Sequence, residues 1–312
     1  MDSHQLSILV AVADQGSFSA AADALDTVQS NVSAHVARLE RELGVVLVDR
    51  GARCLTDEGK AVVARARRVA AEMEAVVTDL AALRHEVVGT VRIGLIGTTA
   101  RWLLPHLIER VARRHPKLHL EAVEGTSTSL EPQVVSGWLD LAVVNLPVAG
   151  AHVAFSPLFE EDLVLVVSAS DPLANRGDLE LADLRPLRLL LPMTGTALRH
   201  EIDSVLGPAG VRPSLAAEVD GVRLLASLTF EGLGPAILPA TSVPAFMRGE
   251  WSLVRVRGLP RRRVGVIRRL RAFPQAPARA LSLLLEEVVT RTGALPEGLY
   301  PARPARIDPS RE

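Results

Sequence analysis

The spacing of apolar residues in the first 60 positions predicts two short helices separated by a tight polar break. In "GSFSAAADALD" (16–26), Ser17 is placed to cap a helix with one apolar face, made of Phe18, Ala21, Ala22 and Leu25. In residues 29–43 an apolar residue recurs at i, i+4, i+7 and i+11, a single helical stripe of Val32, Val36, Leu39 and Leu43. Residues 26–28 form the break. The pair is either an ordinary helical hairpin or a helix-turn-helix.

The face opposite this stripe is free of acidic residues. It carries small side chains, a hydroxyl and two arginines: Ser30, Ala34, Ala37, Arg38 and Arg41. Glu40 and Glu42 fall on the flanks, nearer the apolar stripe. A helix that enters the major groove of DNA needs such a face, because carboxylates or bulk would meet phosphates and base edges.

The segment "VVLVDRGARCLT" (45–56) predicts a β-wing directly after this helix pair. It reads as an extended run, a turn centred on glycine and a second extended run that ends at Thr56, a helix-capping residue. Arg50 and Arg53 flank the tip, where they are suited to backbone phosphates.

A heptad pattern follows the wing. From Thr56 to about His85 the chain lacks proline, and apolar residues repeat at the a and d positions of about four heptads: Val62, Ala66, Val69, Met73, Val76, Leu80 and Leu83. This pattern favours a helix that pairs with a second copy of the chain. The alternative is a long surface helix packed on its own domain.

From residue 89 onward, strand-like runs alternate with helical segments, which predicts an α/β fold with mainly parallel sheets. Three clusters follow strands in this part: Thr98, Thr99 and Ala100; Thr126, Ser127 and Thr128; Thr194, Gly195 and Thr196. Ligands of open parallel sheets lie beyond the carboxyl ends of the strands, near helix N-termini. The clusters therefore predict a cleft for a small anion such as a carboxylate, although each hydroxyl could instead be a helix N-cap. Arg101 and Trp102 could add charge and stacking.

Composition and charge limit the classes of protein that remain possible. The 312 residues have a net charge of −1, and the first 57 hold four arginines against eight acidic residues, so overall charge does not favour nucleic acid. One cysteine, Cys54, excludes an intramolecular disulfide, and the eight histidines show no metal-ligand spacing; we expect neither a metal nor a cofactor. No secretory leader or long apolar run is present, so we expect a soluble, cytoplasmic protein without a membrane partner.

The motifs "VAVADQGSFSAAADAL", "VQSNVSAHVARLERELGVVLVDR" and "CLTDEGK" resemble the N-terminal domain of LysR-type transcriptional regulators. "EEDLVLVVSASDPLA", "LLLPMTGTALR" and "FEGLGPAILP" resemble the effector-binding domain of the same family, two α/β lobes around a cleft, as in periplasmic binding proteins. The resemblance implies a winged helix-turn-helix domain, a linker helix and this two-lobed domain. It implies DNA contacts at Gln29, Ser30, Asn31, Ser33, Arg50 and Arg53, beside the arginines of the helix face, Arg38 and Arg41.

The resemblance also implies partners: an inverted-repeat operator in double-stranded DNA, a small-molecule co-inducer and further copies of the chain in a dimer or tetramer. RNA polymerase is a further candidate partner. The chain departs from the family at Val28, where members usually have Ser or Thr, and at Ala34 and Ala37, where they often have longer polar residues. These departures bear on the strength and sequence of the DNA site.

The expected domains are a DNA-binding domain (1–58), a linker helix (59–88) and an effector-binding domain (89–292). Its lobe I would span about 89–161 and 266–292, and its lobe II about 162–265; the proline-rich residues 293–312 are expected to be a disordered tail. The rival function is a solute-binding protein without a DNA role. An enzyme is disfavoured, because no nucleophile elbow, phosphate loop or informative acid/base pair is found. The arginine-rich segment 254–271 could be a second nucleic-acid surface, an oligomer contact or a solvated edge of lobe II.

Overall fold

The computed structural model describes residues 1–52, 54–84, 86–146, 148, 152–270, 275–291 (without the side chain of Arg291) and 295–302. Within these ranges, no helix combines the length and the apolar character needed to cross a bilayer.

Three helices and a small hairpin build the N-terminal domain. They are α1 (Ser3–Gln15), α2 (Phe18–Ala24), α3 (Gln29–Leu43), β1 (Val48–Asp49) and β2 (Cys54–Leu55). As expected, Ser17 caps α2 by accepting a hydrogen bond from the backbone N–H of Ala20 at 3.1 Å. The core is the α3 stripe packed against the apolar side of α1, with Val32, Val36 and Leu39 fully buried. Leu43, at the end of the stripe, remains 37% exposed.

The hairpin β1–β2 occupies the predicted position of the wing. The carboxylate of Asp49 closes its turn by accepting the backbone N–H groups of Gly51 and Ala52 at 2.8 and 2.9 Å. On its inner side, Oε1 of Glu40 accepts the N–H groups of Leu47 and Val48 at 2.8 and 3.2 Å. The flank of α3 therefore holds the wing against the domain through a carboxylate.

The linker helix α4 (Asp57–Ala82) starts at Thr56, whose hydroxyl accepts the N–H of Gly59 at 2.9 Å. A Cβ atom on Gly59 would overlap the backbone carbonyl of Leu47, so only glycine permits the helix to pass this close to the wing. Further along, α4 packs on lobe I of the C-terminal domain. The side-chain amide of Gln275 donates to the carbonyl of Ala71, and Ala75 and Thr78 are buried there.

Lobe I contains a parallel sheet core, and lobe II repeats this arrangement. Lobe I consists of β3 (Gly89–Ile96), α5 (Gly97–Arg114), β4 (Leu118–Gly125), α6 (Ser127–Ser136), β5 (Leu141–Asn145) and, after the chain returns, α9 (Ala276–Arg291). Lobe II consists of β7 (Leu179–Glu180), β8 (Arg188–Pro192), α7 (Ala197–Leu206), β9 (Ser214–Val219), α8 (Val222–Phe230), β10 (Ala236–Pro239) and β11 (Trp251–Arg257). Strands β3, β4 and β5 are parallel to one another, and β8 is parallel to both β9 and β10. The predicted α/β class is confirmed.

Two long strands, β6 (Val153–Ser168) and β12 (Arg261–Arg269), connect the lobes in an antiparallel pair. The first half of β6 pairs with β12, and its second half pairs with β10 and β11 of lobe II. The sheet order is therefore β4-β3-β5-β12-β6-β10-β8-β9, with antiparallel pairing confined to the strands that pass between lobes. From Val264 onward β12 pairs with β5, two residues before the expected return to lobe I at 266.

A buried ion pair marks the point where β6 and β12 pass between the lobes. Oε2 of Glu161 accepts a hydrogen bond from Nη2 of Arg262 at 2.5 Å. Oε1 accepts hydrogen bonds from the backbone N–H and the hydroxyl of Thr241 at 2.8 and 2.6 Å. Both charges are almost completely buried. Replacing only one residue of such a pair strongly destabilises a protein, because the other charge then remains unpaired in the interior.

Part of the tail is ordered, contrary to the expectation of disorder. Leu299–Pro301 forms strand β13, antiparallel to residues 159–161 of β6. The carbonyl of Gly298 accepts the N–H of Asp162 at 2.8 Å, and the hydroxyl of Tyr300 donates to the carboxylate of Asp162 at 2.8 Å. The expectation was wrong for residues 295–302 because β6 offers a free edge that composition does not reveal; 293–294 and 303–312 lie outside the described residues.

The arginine-rich segment lies on β11 and β12 as far as Arg269, and several of its charges are neutralised locally; Arg271 lies outside the described residues. Arg257 pairs with Asp178 at 3.2 Å, and Arg261 pairs with Asp162 at 2.8 Å while its guanidinium lies 3.7 Å from the ring centre of Tyr300. With Arg262 buried on Glu161, these contacts favour a structural role over a second nucleic-acid surface.

We expect Gly59→Ala to destabilise the N-terminal domain by about 1–3 kcal/mol, because the added methyl group would push α4 away from Leu47. Urea denaturation followed by circular dichroism would measure the loss. Gly51→Ala is the matched control, since the atom nearest to its added methyl group is a side-chain oxygen of Asp49 at 3.3 Å and not a backbone carbonyl. Equal effects of the two substitutions would contradict this account.

We expect Glu40→Ala to loosen the wing and to reduce the free energy of unfolding by about 1.5–3 kcal/mol, because two backbone donors lose a charged acceptor. Hydrogen exchange at the amides of Leu47 and Val48 should accelerate in this variant. Asp23→Ala removes an exposed acid from α2 and serves as the control. Unchanged exchange at Leu47 in Glu40→Ala would show that the wing is held by other contacts.

Candidate nucleic-acid interface and ligand cleft

The outward face of α3 is accessible along its whole length. Gln29, Ser30 and Asn31 are exposed in its first turn, and Ala34, Arg38 and Arg41 are exposed further along. Ser33 and Ala37 are half-buried beside them. Because Val32, Val36 and Leu39 anchor the opposite side in the core, the helix presents a fixed, acid-free surface rather than a mobile one.

Many acids of the N-terminal domain are engaged in internal contacts. Glu42, on the flank of α3, accepts hydrogen bonds from the amino terminus of Met1 and from the side chain of Gln5, and these contacts lower its pKa. Asp2 caps α1, and the N–H of Gln5 lowers the pKa of its carboxyl. Asp14 pairs with Arg67 of α4. The excess of acids over arginines therefore does not describe the charge of the α3 face.

The N-terminus of α3 has no side-chain cap. Val28 occupies the N-cap position, and the hydroxyl of Thr27 accepts a hydrogen bond from the side chain of Asn31 at 3.1 Å instead of capping the helix. The first N–H groups of α3 and the positive end of its dipole are thus available to an anion outside the protein, such as a phosphate.

The two wing arginines differ in what the structure shows of them. Arg50 is exposed, and its guanidinium lies 5.5 Å from the ring centre of Phe18, which places the charge beside α2. Arg53 lies outside the described residues.

The heptad seam of α4 divides into two parts. Val62 and Ala66 pack within the protein, whereas the later positions are exposed, with Met73 at 57% and Val76 at 62%. Val69, Leu80 and Leu83 share this exposure. The opposite side of the helix is buried at Ala75 and Thr78, so α4 packs on its own chain with one side and leaves an apolar stripe uncovered on the other.

The first hydroxyl cluster lies in the first turn of α5. Thr98 and Thr99 are buried, Ala100 is half-buried, and Oγ1 of Thr99 has no hydrogen-bond partner within the described structure. No side chain caps this helix. Trp102, one turn on, packs edge-to-face on the buried Phe159 at 5.4 Å between ring centres and belongs to the core.

The second and third clusters are largely engaged in local caps. Thr126 caps α6 and contacts the hydroxyl of Thr128 at 3.0 Å, while the hydroxyl of Ser127 accepts the N–H of Asn145 from the end of β5 at 3.0 Å. Thr196 caps α7 after Gly195, which has a φ of 92°.

In the same cluster, the hydroxyl of Thr194 donates to Glu218 at 2.9 Å. The N-cap interpretation therefore applies to Thr126 and Thr196, although it does not account for Thr98 and Thr99.

Charged residues join the lobes beside α5; the sequence singled out Arg101 among them, but not Glu124 or Arg223. Glu124, near the end of β4, accepts a hydrogen bond from Arg223 in the first turn of α8. Arg101 on α5 donates to the carbonyl of Ser242 at 3.3 Å. Burial lowers the pKa of Arg101, and the charge of Arg223 lowers it further. No local sequence signal connects these residues, because they come from four separate elements.

Comparisons with known proteins cover both parts of the chain. Residues 3–60 match the family model "Bacterial regulatory helix-turn-helix protein, lysR family", and residues 84–290 match "LysR substrate binding domain". A relative from Streptomyces viridosporus named "Probable hydrogen peroxide-inducible genes activator" is 34% identical over 91% of this chain and 93% of its own length.

Two solved structures agree with this assignment. Full-length CbnR in complex with its target DNA is 26% identical, covers 93% of this chain and 100% of its own, and has a TM-score of 0.65. A full-length OxyR variant from Pseudomonas aeruginosa with one cysteine replaced by aspartate is similar in fold, with a TM-score of 0.76 over 97% of this chain and 99% of its own at 24% identity.

The two matched models together span most of the chain, and the curated relative extends over nearly all of it. The function that these matches support is regulation through a helix-turn-helix and an effector-binding domain, not solute binding alone and not enzymatic catalysis. The chain belongs to the LysR family of bacterial DNA-binding transcriptional regulators.

Proposed function

We propose that the protein binds an inverted-repeat operator as a dimer, with one α3 helix in the major groove of each half-site, and that a small anion between lobes I and II modulates this binding. The observation that carries the DNA part is the acid-free, exposed face of α3. Gln29, Ser30 and Asn31 would reach base edges, while Arg38, Arg41 and the wing residues Arg50 and Arg53 would contact phosphates. Ser33 would support the first turn.

The exposed stripe of α4 supports the dimer. A row of apolar side chains at heptad spacing, from Val69 to Leu83, is what a second copy of the same helix would bury. Pairing also brings two α3 helices to one DNA duplex, which compensates for the low positive charge of a single N-terminal domain. A tetramer would need additional contacts through the C-terminal domains, and the protein would act in the cytoplasm.

The effector is proposed to be an anion because cationic groups meet at the carboxyl ends of β3 and β4. Arg101, Arg223 and the uncapped N-terminus of α5 all favour negative charge there. Thr98 and Thr99 in that turn supply hydroxyl groups. Thr126, Ser127, Thr128 and the cluster Thr194, Gly195 and Thr196 would line the remaining sides. The identity of the effector would decide which of these hydroxyls exchange their internal hydrogen bonds for the ligand.

The relative named for hydrogen peroxide induction raises the question of the signal. Cysteine-based sensing of peroxide proceeds through a thiolate, and the single cysteine of this chain, Cys54, lies exposed in the wing. The effector-binding domain contains no cysteine at all. We therefore propose that its response depends on reversible binding and not on thiol oxidation between the lobes.

Genome-wide selection of DNA fragments by the purified protein would supply the operator, and gel-shift titration would then test the α3 face. Gln29→Ala should weaken binding to the selected fragment by about tenfold or more, because a side chain that reads a base edge contributes about 1–3 kcal/mol. Arg41→Ala should weaken binding to all sequences. It should also lower the slope of the logarithm of the binding constant against the logarithm of the salt concentration by about one, because one phosphate contact is lost.

Gln15→Ala, at the exposed end of α1, is the matched control for Gln29→Ala and should bind as the wild type does. All variants should keep their circular dichroism spectra. An unchanged affinity of both α3 variants would refute the proposed groove contact.

Cys54→Ser should bind the selected fragment as tightly as the wild type, and peroxide should leave the affinity of this variant unchanged. The reason is that no other thiol is present. Gel shifts with and without peroxide, together with intact-protein mass spectrometry, would measure both effects. The wild type should likewise be unaffected by peroxide; a peroxide-induced change of affinity in the wild type that Cys54→Ser abolishes would show that oxidation of Cys54 carries the signal and would contradict the proposal.

A further inference from the structure

An ion pair crosses from one lobe to the other directly above the start of α5. Arg223 of lobe II donates to Glu124 of lobe I, and the two side chains are 54% and 43% exposed. A Cβ atom on Gly97 would lie 2.7 Å from Oε1 of Glu124 and 3.0 Å from Cδ of Arg223. The carboxylate of Glu124 therefore lies over the first residue of α5, where a bound anion would interact with the positive end of the helix.

Arg101 adds a second cation to this corner. Within the described parts of the chain it forms no ion pair, and its one polar contact is the 3.3 Å hydrogen bond to the carbonyl of Ser242. The charge of Arg223 contributes to the lowered pKa of Arg101, and Glu124 opposes this effect, so the three groups interact electrostatically. Among the described residues, Glu124 forms an ion pair with Arg223 and none with Arg101.

Two buried hydroxyl groups in this part of the chain also lack a hydrogen-bond partner among the described residues. Oγ1 of Thr99 and Oγ of Ser242 are buried without a hydrogen-bond partner among the described residues. Native proteins rarely leave such groups unpaired, and an unfilled ligand position is one of the recurrent reasons. Thr99 lies two residues before Arg101 on α5, and the carbonyl of Ser242 accepts the hydrogen bond of Arg101.

We propose that Glu124 is a tethered competitor of the effector: its carboxylate occupies the anion position on Arg223, and a monocarboxylate effector displaces it and also pairs with Arg101. This inference rests on the proposed effector site and names its ligand class. The competitor is a single side-chain carboxylate, so a ligand that takes its place on Arg223 needs one carboxylate of its own. An exposed ion pair contributes little to stability, so Glu124 can yield its position readily.

The exchange also explains how binding would change the arrangement of the lobes. Before binding, Arg223 links lobe II to the end of β4, beside the separate hydrogen bond of Arg101 to the carbonyl of Ser242. After binding, lobe II is linked through the ligand to Arg101 of α5. Because the two anchors differ, the ligand favours a different arrangement of the lobes, which is the condition for a population shift.

Isothermal titration with butyrate at constant ionic strength tests the proposal, with butyramide as the neutral isostere. Glu124→Gln should bind butyrate about fivefold more tightly than the wild type, because the competitor of about 1 kcal/mol at most is removed. Arg223→Gln and Arg101→Gln should each weaken binding about tenfold, the loss expected for one charge-assisted contact. Butyramide should bind none of the proteins.

Glu121→Gln is the matched control. It lies on the same strand three residues earlier, is similarly exposed at 39%, and pairs with Arg92 at 2.5 Å instead of with Arg223. It should bind butyrate as the wild type does.

Two results would overturn the inference: Glu124→Gln binding no more tightly than the wild type, or Glu121→Gln tightening binding equally. If Arg101→Gln weakens butyrate binding while Glu124→Gln leaves it unchanged, the proposed effector site stands and the role of Glu124 as a competitor is rejected. Absence of butyrate binding to every variant at millimolar concentrations would reject the competitor as well, while the gel shifts judge the DNA function separately.

Discussion

The apolar stripe of α3 is the constraint on which the DNA-binding surface depends. Val32, Val36 and Leu39 are fully buried against α1, and their burial fixes the rotation of the helix about its own axis. Once that rotation is set, the residues at the complementary angles must face solvent. The presence of small residues and arginines on that side then determines what the surface can approach. A polar residue in the stripe would destabilise the domain and would also release the rotation of α3, so that the exposed face would lose its fixed orientation.

The acidic residues of the N-terminal domain show why a net charge is a poor guide to a binding surface. Glu40 holds the wing, Asp49 closes its turn, and Asp14 connects α1 to the linker helix through Arg67. Each carboxylate is bound to a backbone donor or a cation within the domain. Several of the negative charges that disfavour nucleic acid in a composition count therefore form contacts that hold the domain together, and none of these three lies on the exposed face of α3.

The linker helix connects this surface to the C-terminal domain. One side of α4 lies on lobe I through Ala75 and Thr78, and the other side leaves an apolar stripe for a second copy of the chain. In the proposed dimer, a change in the arrangement of the lobes would therefore move an element that also sets the spacing of the two α3 helices. The cross-lobe pair of Glu124 and Arg223, near the start of α5, is the contact through which a ligand could begin such a change.

The sequence by itself determined the elements and their local contacts. The stripe of α3, the caps at Ser17 and Thr56, the heptads of α4 and the alternation of strands and helices all depend on residues within a few positions of one another, where helix and strand periodicity operate. Only the tertiary structure decided that Glu40 holds the wing, that Gly59 is needed beside Leu47, that residues 299–301 add a strand to β6, and that Arg223 meets Glu124. Each of these contacts joins residues that no local period connects, so their chemistry became visible only once folding had brought them together.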